Sequence, residues 1–253
     1  MQLHFQESGQ GRVVILLHGM LGSSDNWHHI VQRLAERFQV FNLDQRNHGR
    51  SPHSDEMNYP LMAGDLEIFF VARRIESAVV IGHSMGGKTA MQFALEFPGR
   101  VEKLVVADMS PRAYAPAHDR IFAALLGLDL STLRSRQQAE AALAPDIPDL
   151  ALRRFLLKNL GRDAGGRFLW KINLRSVVKN YRHLRAPIER PDPFTKPALF
   201  IRGGKSDYIN PQDEPLIREL FPQSKIQTLP SASHWVHADQ PEEFMRLVLG
   251  FLE

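Results

Sequence analysis

Short apolar runs alternate with longer stretches of helical periodicity along the first half of the chain. In chain order these are RVVILLHG, NWHHIVQRLAERF, QVFNLD, LMAGDLEIFFVARRI, SAVVIG, MGGKTAMQFALEF and VEKLVVAD. Runs that are apolar at nearly every position indicate strands buried on both faces, and a helix after each strand supplies the crossover that parallel strands require. The pattern therefore predicts an α/β fold with a mostly parallel, doubly wound sheet.

The same alternation returns near the end of the chain. Two further strands are predicted from KPALFIRGG and SKIQTLP, with a helix over about 214–220 between them. A last helix is expected from Pro241, because proline is favoured in the first turn of a helix.

Residues 112–189 follow a different pattern. Helical periodicity is visible in HDRIFAALLGL, RSRQQAEAALA and DLALRRFLLKNL, and no convincing strand accompanies it. We therefore predict one α/β core, residues 1–111 and 190–253, interrupted by a helical cap at residues 112–189. The cap is expected over the carboxyl ends of the strands, where open α/β sheets bind their ligands.

Composition narrows the possible chemistry. The chain has 253 residues and no cysteine, which excludes disulfides, thiolate zinc sites and a cysteine nucleophile. Its formal net charge is +3, and acids are interspersed among the lysines and arginines, whereas nucleic-acid binding needs a clustered basic stripe. The sequence shows neither a leader pattern nor a run approaching the roughly 20 apolar residues of a membrane span, so we expect a cytoplasmic protein without membrane insertion. We further expect a monomer or a homodimer.

Ser84 is the candidate nucleophile. It lies in the sequence GHSMG, a G-x-S-x-G pattern, between a predicted strand and a predicted helix. A tight strand-to-helix turn forces the serine into strained backbone geometry, and a Cβ at either glycine would collide with neighbouring backbone. This context predicts an exposed hydroxyl near a helix N-terminus, where the Met85 N–H favours negative charge.

The loop HGMLG, which follows the first predicted parallel strand, supplies a second part of the site. Its backbone can aim the N–H of Met20, or that of Leu21, at the same point as the N–H of Met85. Two converging donors of this kind form an oxyanion hole. Taken alone, the glycines of this loop favour an ordinary turn, but together with Ser84 they favour an oxyanion hole.

A general base and an acid are expected from later loops. His234 lies before the last helix, and His237 is its rival closer to the helix start. Asp207 fits a G-x-x-D pattern after a late strand, but a one-residue shift of that pattern places Ser206 in the same slot. Asp108, which ends the preceding strand, is the other candidate acid.

The motifs HGMLGSSDNW, DQRNHGRSPH, GHSMGGKTAM, DMSP, HDRIF, LFIRGG and ASHWVHADQPEEF together resemble the α/β-hydrolase family, and within it the YbfF-type bacterial esterases and their mitochondrial abhydrolase-domain relatives. The resemblance covers nearly the whole chain. It implies hydrolysis of small carboxylic esters or acyl thioesters beneath a helical cap, without metal or organic cofactor. It also implies that Asp108 is the triad acid and that Ser206 assists it by hydrogen bonding.

The resulting hypothesis is a serine carboxylesterase that works through an acyl-enzyme on Ser84. Acyl-thioester hydrolysis or acyl transfer with the same triad, and a noncatalytic small-molecule receptor on the same fold, are the alternatives. We expect an apolar acyl pocket lined by residues near the site and by aromatic residues of the cap, namely Leu21, Phe122, Trp170 and Trp235. The alternative is that such residues only pack in the hydrophobic core.

Overall fold

Nine strands are present in the computed structural model, which describes residues 1–190 and 192–253. They are β1 (Phe5–Ser8), β2 (Val13–Leu17), β3 (Gln39–Leu43), β4 (Ala78–His83), β5 (Val101–Ala107), β6 (Leu160–Arg162), β7 (Phe168–Trp170), β8 (Ala198–Gly203) and β9 (Ser224–Leu229). Seven form one sheet in the order β1-β3-β2-β4-β5-β8-β9. In this sheet β1 is antiparallel to β3 and the other neighbouring pairs are parallel, which confirms the predicted fold class.

Helices cover both faces of this sheet, and further helices lie within residues 112–189. They are α1 (His28–Leu34), α2 (Tyr59–Arg73), α3 (Met85–Glu96), α4 (Asp119–Gly127), α5 (Arg136–Leu143), α6 (Leu150–Leu157), α7 (Leu174–Lys179), α8 (Tyr181–Leu184), α9 (Glu214–Leu220), α10 (Val236–Asp239) and α11 (Pro241–Leu252). Buried residues of α1 and α11 pack on one face, and those of α2, α3 and α9 pack on the other. Successive side chains of each strand point to opposite faces of the sheet and therefore pack into two apolar layers, as doubly wound sheets require.

The edge strand β1 was not predicted. Its sequence FQES holds three polar residues, and none of its side chains is fully buried. An edge strand that packs weakly carries no continuous apolar run, so its sequence gave no strand signal. Pairing with β3 is what makes this segment extended.

The insertion, residues 112–189, contains the predicted helical segments as α4, α5 and α6, followed by α7 and α8. The expectation that it holds no strand is wrong, because β6 and β7 form an antiparallel hairpin. Each strand has three residues, too few for a periodic signal. The turn between them is held by Asp163, whose carboxylate accepts from the Arg167 N–H at 2.9 Å.

The carboxyl ends of the parallel strands bring the candidate residues to one edge of the sheet. His18 follows β2, Ser84 follows β4 and Asp108 follows β5, while Ser206 and His234 lie in the loops after β8 and β9. After residues 112–189 the chain returns to the sheet as β8, which pairs with β5. Among residues 1–190 and 192–253, no helix combines the length and the apolar character needed to cross a membrane.

Candidate active site

Ser84 occupies a strained turn between β4 and α3. Its backbone has φ 53° and ψ −119°, a region that residues with a side chain rarely adopt. The turn is held on both sides, because the Ser84 N–H donates to the Ala107 carbonyl at 3.1 Å and the Ser84 carbonyl accepts from the backbone N–H of Lys88 at 3.0 Å. The structure therefore places Ser84 on the sharp turn that the sequence predicts.

Close backbone contacts explain the two glycines of this turn. A Cβ on Gly82 would lie 2.1 Å from the Gly86 carbonyl oxygen, and a Cβ on Gly86 would lie 2.3 Å from the Leu17 carbonyl oxygen. Both distances are far inside van der Waals contact. Glycine at these positions lets α3 begin directly against β2 and β4, which is what brings Ser84 to the edge of the sheet.

Asp108 contacts the imidazole of His234. The His234 Nδ1 to Asp108 Oδ2 distance is 2.8 Å, and the Asp108 side chain is fully buried. Its other oxygen accepts from the Gly203 N–H at 2.8 Å, and Ser206 Oγ donates to the oxygen that faces His234. These donors replace the water that the buried carboxylate has lost, so the ionised form has partners on both oxygens.

Asp207 and His237, the rival candidates, are not part of this pair. Asp207 is exposed, and the contacts that fix it are made by its backbone carbonyl, which accepts from Arg112 at 2.9 Å and from Asn210 at 3.0 Å. His237 is buried against the Trp27 ring, with ring centroids 4.4 Å apart. Burial lowers the pKa of His237 to about 3, so this imidazole is neutral at physiological pH.

The loop after β2 passes directly over Ser84. A Cβ on Gly19 would lie 2.9 Å from Nδ1 of His83 and 3.3 Å from the Ser84 Cβ, so any residue other than glycine would displace the His83 ring. The Leu21 N–H donates to Nε2 of His48 at 3.3 Å. Within the part of the chain that the structure describes, the backbone N–H groups of Met20 and Met85 have no acceptor, which leaves these two available for a ligand oxygen.

Two buried histidines hold the backbone of this loop. His18 accepts from the Gln45 N–H at 3.0 Å through Nε2, so its Nδ1 donates to the Gly19 carbonyl at 2.8 Å. His48 accepts from Leu21, so its Nδ1 donates to the Arg46 carbonyl at 2.9 Å. Burial lowers the pKa of both, that of His48 to about 3, which keeps the neutral tautomers these bonds need.

A cavity of about 450 Å³ opens at the Ser84 hydroxyl. Ser84 and His234 line it from the sheet edge, and side chains of the insertion form the opposite wall. The apolar and aromatic members of that wall include Tyr114, Ile121, Leu152, Phe155, Leu156, Tyr181 and Leu184. This size and this mostly apolar lining suit a small organic ligand whose reactive group reaches Ser84.

Four residues were predicted to line an acyl pocket, and the structure places two of them there. Leu21 and Trp235 belong to the cavity wall. Phe122 instead lies in the core of the insertion, where its ring packs edge-on against Tyr181 at 4.9 Å, so Tyr181 faces the cavity. Trp170 pairs with Leu160 in the β6–β7 hairpin, outside the wall. Phe122 and Trp170 thus lie outside the cavity wall. For Phe122, helical periodicity does not tell which apolar face of a helix meets the cavity.

Comparisons with known proteins agree with this geometry. A family model described as alpha/beta hydrolase fold matches residues 12–241. The sn-1-specific diacylglycerol lipase ABHD11 of Mus musculus is 38% identical over 247 residues, which are 94% of this chain and 80% of that protein. Esterase YbfF of Escherichia coli (strain K12) is 36% identical over 240 residues, 94% of this chain and 92% of that protein. A solved structure described as a marine microorganism esterase is 46% identical, covers 99% of both chains and has a TM-score of 0.97.

Proposed function

This chain belongs to the alpha/beta hydrolase family, and on that premise we propose that it is a serine carboxylesterase acting on small carboxylic esters through an acyl-enzyme on Ser84. The observation that carries the proposal is the 2.8 Å contact between His234 and the buried Asp108 beside a cavity that both His234 and Ser84 line. A serine hydroxyl becomes a nucleophile only when a base takes its proton, and this pair supplies an oriented base.

The proposed mechanism assigns each group one role. His234 removes the proton of Ser84 as its oxygen attacks the ester carbonyl, and Asp108 stabilises the imidazolium that forms. The N–H groups of Met20 and Met85 bind the oxyanion. His234 then protonates the leaving alcohol, and in the second half of the reaction it activates a water that releases the acid and frees Ser84. Ser206 is an auxiliary donor to Asp108.

The cavity limits the substrate. A volume of about 450 Å³ with a mainly apolar wall fits a short or medium acyl chain better than a large polar group. We propose that residues 112–189 act as a cap, with Leu21 and Trp235 on the core side of the acyl site. The cytoplasmic location and the choice between monomer and homodimer stay predictions.

The decisive experiment combines labelling with turnover. A fluorophosphonate probe should label the wild-type protein and leave Ser84→Ala unlabelled, since only an activated serine reacts with it. Ester hydrolysis should follow the same pattern across p-nitrophenyl acetate, butyrate and longer acyl esters. An unlabelled wild-type protein with no turnover would support a noncatalytic receptor instead. Faster turnover of acyl thioesters than of matched oxygen esters would support the thioesterase alternative.

A further inference from the structure

Lys88 is a buried charged residue that the mechanism above does not use. It lies one turn after Ser84 on α3, and its side chain is fully buried. Its Nζ donates to the carbonyl of Arg112 at 2.7 Å and to that of Ala186 at 2.5 Å. Since Arg112 begins the insertion and Ala186 lies near its end, one amine joins both connections of the insertion to the helix that follows the nucleophile.

The two connections also pair with each other, and we call residues 111–114 and 184–188 together the neck. The Tyr114 N–H donates to the Arg185 carbonyl at 2.9 Å, and the Ile188 N–H donates to the Pro111 carbonyl at 2.7 Å. Arg185 Nη1 returns a bond to the Tyr114 carbonyl at 2.6 Å. The neck is therefore a small hydrogen-bonded unit, and Lys88 attaches that unit to α3.

A continuous set of contacts leads from Lys88 to the imidazole of His234. Nζ of Lys88 lies 4.9 Å from the centroid of the Tyr114 ring, a cation–π distance. The Tyr114 hydroxyl accepts from the Ser110 N–H at 2.8 Å and donates to the Tyr208 carbonyl at 2.6 Å. The Tyr208 ring stacks on His234, with centroids 3.8 Å apart and planes 19° apart.

Burying the Lys88 amine costs desolvation free energy that a residue serving only to fill space would not require. In residues 1–190 and 192–253 no carboxylate lies within ion-pair distance of its Nζ, and burial lowers the pKa of Lys88 to about 7, with a smaller effect from the charge of Arg112. Two carbonyls and the faces of Tyr59 and Tyr114 replace its hydration shell. A methionine would fill the same volume without this desolvation cost, but it could not bind the two carbonyls.

We propose that Lys88 is a positioning residue: it fixes the neck and Tyr114 against α3, and through Tyr114 it holds Tyr208 on the face of His234. The consequence for catalysis rests on the proposed esterase function. The consequence for the position of the His234 ring does not rest on that function. The experiment can therefore test the positioning role and the proposed function separately.

Lys88→Met removes the two hydrogen bonds and keeps the volume. Because a small displacement of the base costs far more in turnover than in binding, kcat should fall by about tenfold to a hundredfold. KM should stay within about threefold. Lys103→Met is the matched control, since Lys103 Nζ donates to the carbonyls of Phe251 at 2.6 Å and Leu252 at 3.1 Å and lies 5.3 Å from the Phe251 ring, remote from the cavity. The control should lose stability and keep its kcat.

Tyr114→Phe tests the intermediate contact. It keeps the ring next to Lys88 and removes the hydroxyl that binds Tyr208. If Lys88 acts only through Tyr114, the double variant should lose no more kcat than the more impaired of the two single variants. If the kcat losses of the two single variants multiply in the double variant, Lys88 does not act through Tyr114 and the proposal is overturned. Should Lys88→Met not fold, Tyr114→Phe still decides, because unchanged kcat and an unchanged His234 ring signal in that variant also overturn it.

The ring signal is read by NMR of histidine-labelled protein, assigned with His234→Asn. Stacking by Tyr208 should move the His234 ring protons upfield in the wild type, and Lys88→Met should move them back. If the wild-type protein has no esterase activity but Lys88→Met still moves the His234 ring signals, the proposed function is contradicted and the positioning role is supported. An active wild type whose His234 signal and kcat are both unchanged by Lys88→Met overturns the positioning role alone.

Discussion

The carboxylate of Asp108 accepts a hydrogen bond from Nδ1 of His234 at 2.8 Å, across 126 residues of sequence. Because an ionised carboxylate can only accept, Nδ1 must carry the ring hydrogen. This fixes the tautomer in which Nε2 has a free lone pair, the form that a base for Ser84 needs.

Asp108→Asn should lower kcat for p-nitrophenyl butyrate by about 10³- to 10⁴-fold while the protein stays folded. The amide keeps the shape of the carboxylate, but it favours the other His234 tautomer and leaves the imidazolium without its counter-charge. Steady-state kinetics with circular dichroism as the folding check would measure this.

Asp207→Asn is the control for the choice of acid. Its carboxylate is exposed, and the contacts that hold the loop come from its backbone, so kcat should stay within about threefold. If this variant lost activity and Asp108→Asn kept it, the assignment of the acid would be reversed.

Ser206→Ala should have a smaller effect than Asp108→Asn. Ser206 Oγ donates to the same carboxylate oxygen that faces His234, and the Gly203 N–H still binds the other oxygen when the hydroxyl is gone. Loss of one hydrogen bond to a buried charge costs about 1.5–3 kcal/mol, which is roughly tenfold to a hundredfold if it is expressed in kcat. Unchanged kcat with reduced thermal stability would assign Ser206 a structural role only.

The parallel core could be predicted from the sequence because its strands are apolar throughout. β2, β4 and β5 lie where VVILL, AVVIGH and VEKLVVA stand in the sequence, and α11 begins at Pro241 as expected. The edge strand β1 could not be predicted in this way, because its extended form comes from pairing with β3 and not from its own side chains.

Part of the site was equally predictable, and part was not. The glycines around Ser84 carry a steric signal that sequence alone displays. The contact of Asp108 with His234, and the exclusion of Asp207 from it, depends on where each loop leaves the sheet, which the residues alone left open. The residues of the insertion were least predictable: Phe122 and Tyr181 both suit an apolar wall, and only their packing decides which one meets the cavity.

Gly86→Ala should abolish activity by disrupting the fold at the turn. The added Cβ would lie 2.3 Å from the Leu17 carbonyl oxygen, and relieving this clash requires the backbone of β2 or α3 to move. The free energy of unfolding should therefore drop by about 3 kcal/mol or more. Gly250→Ala is the control, since its Cβ meets nothing within 4 Å on α11. There the substitution should stabilise the protein by roughly 0.5–1 kcal/mol. Equal effects of the two variants in urea unfolding would contradict the steric account.

Acid sensitivity of the fold should arise partly from His237. Its Nδ1 has no hydrogen-bond partner within the described part of the chain, and burial lowers its pKa to about 3 from an unfolded value of 6.5. Between these two values the unfolded chain binds a proton that the native protein does not. The free energy of unfolding therefore decreases as the pH falls from 6.5 toward 3, by at most about 1.4 kcal/mol per pH unit from this one residue.

His237→Phe keeps an aromatic ring against Trp27 and removes the titrating group. The slope of unfolding free energy against pH, measured by urea denaturation between about pH 4 and pH 6, should become shallower by up to about 1.4 kcal/mol per unit. His29→Gln, which removes an exposed imidazole on α1, is the matched control for the loss of a histidine side chain. A His237→Phe protein with the wild-type slope would mean that His237 takes up its proton in the native state, and the neutral, buried form assigned to it would then be wrong.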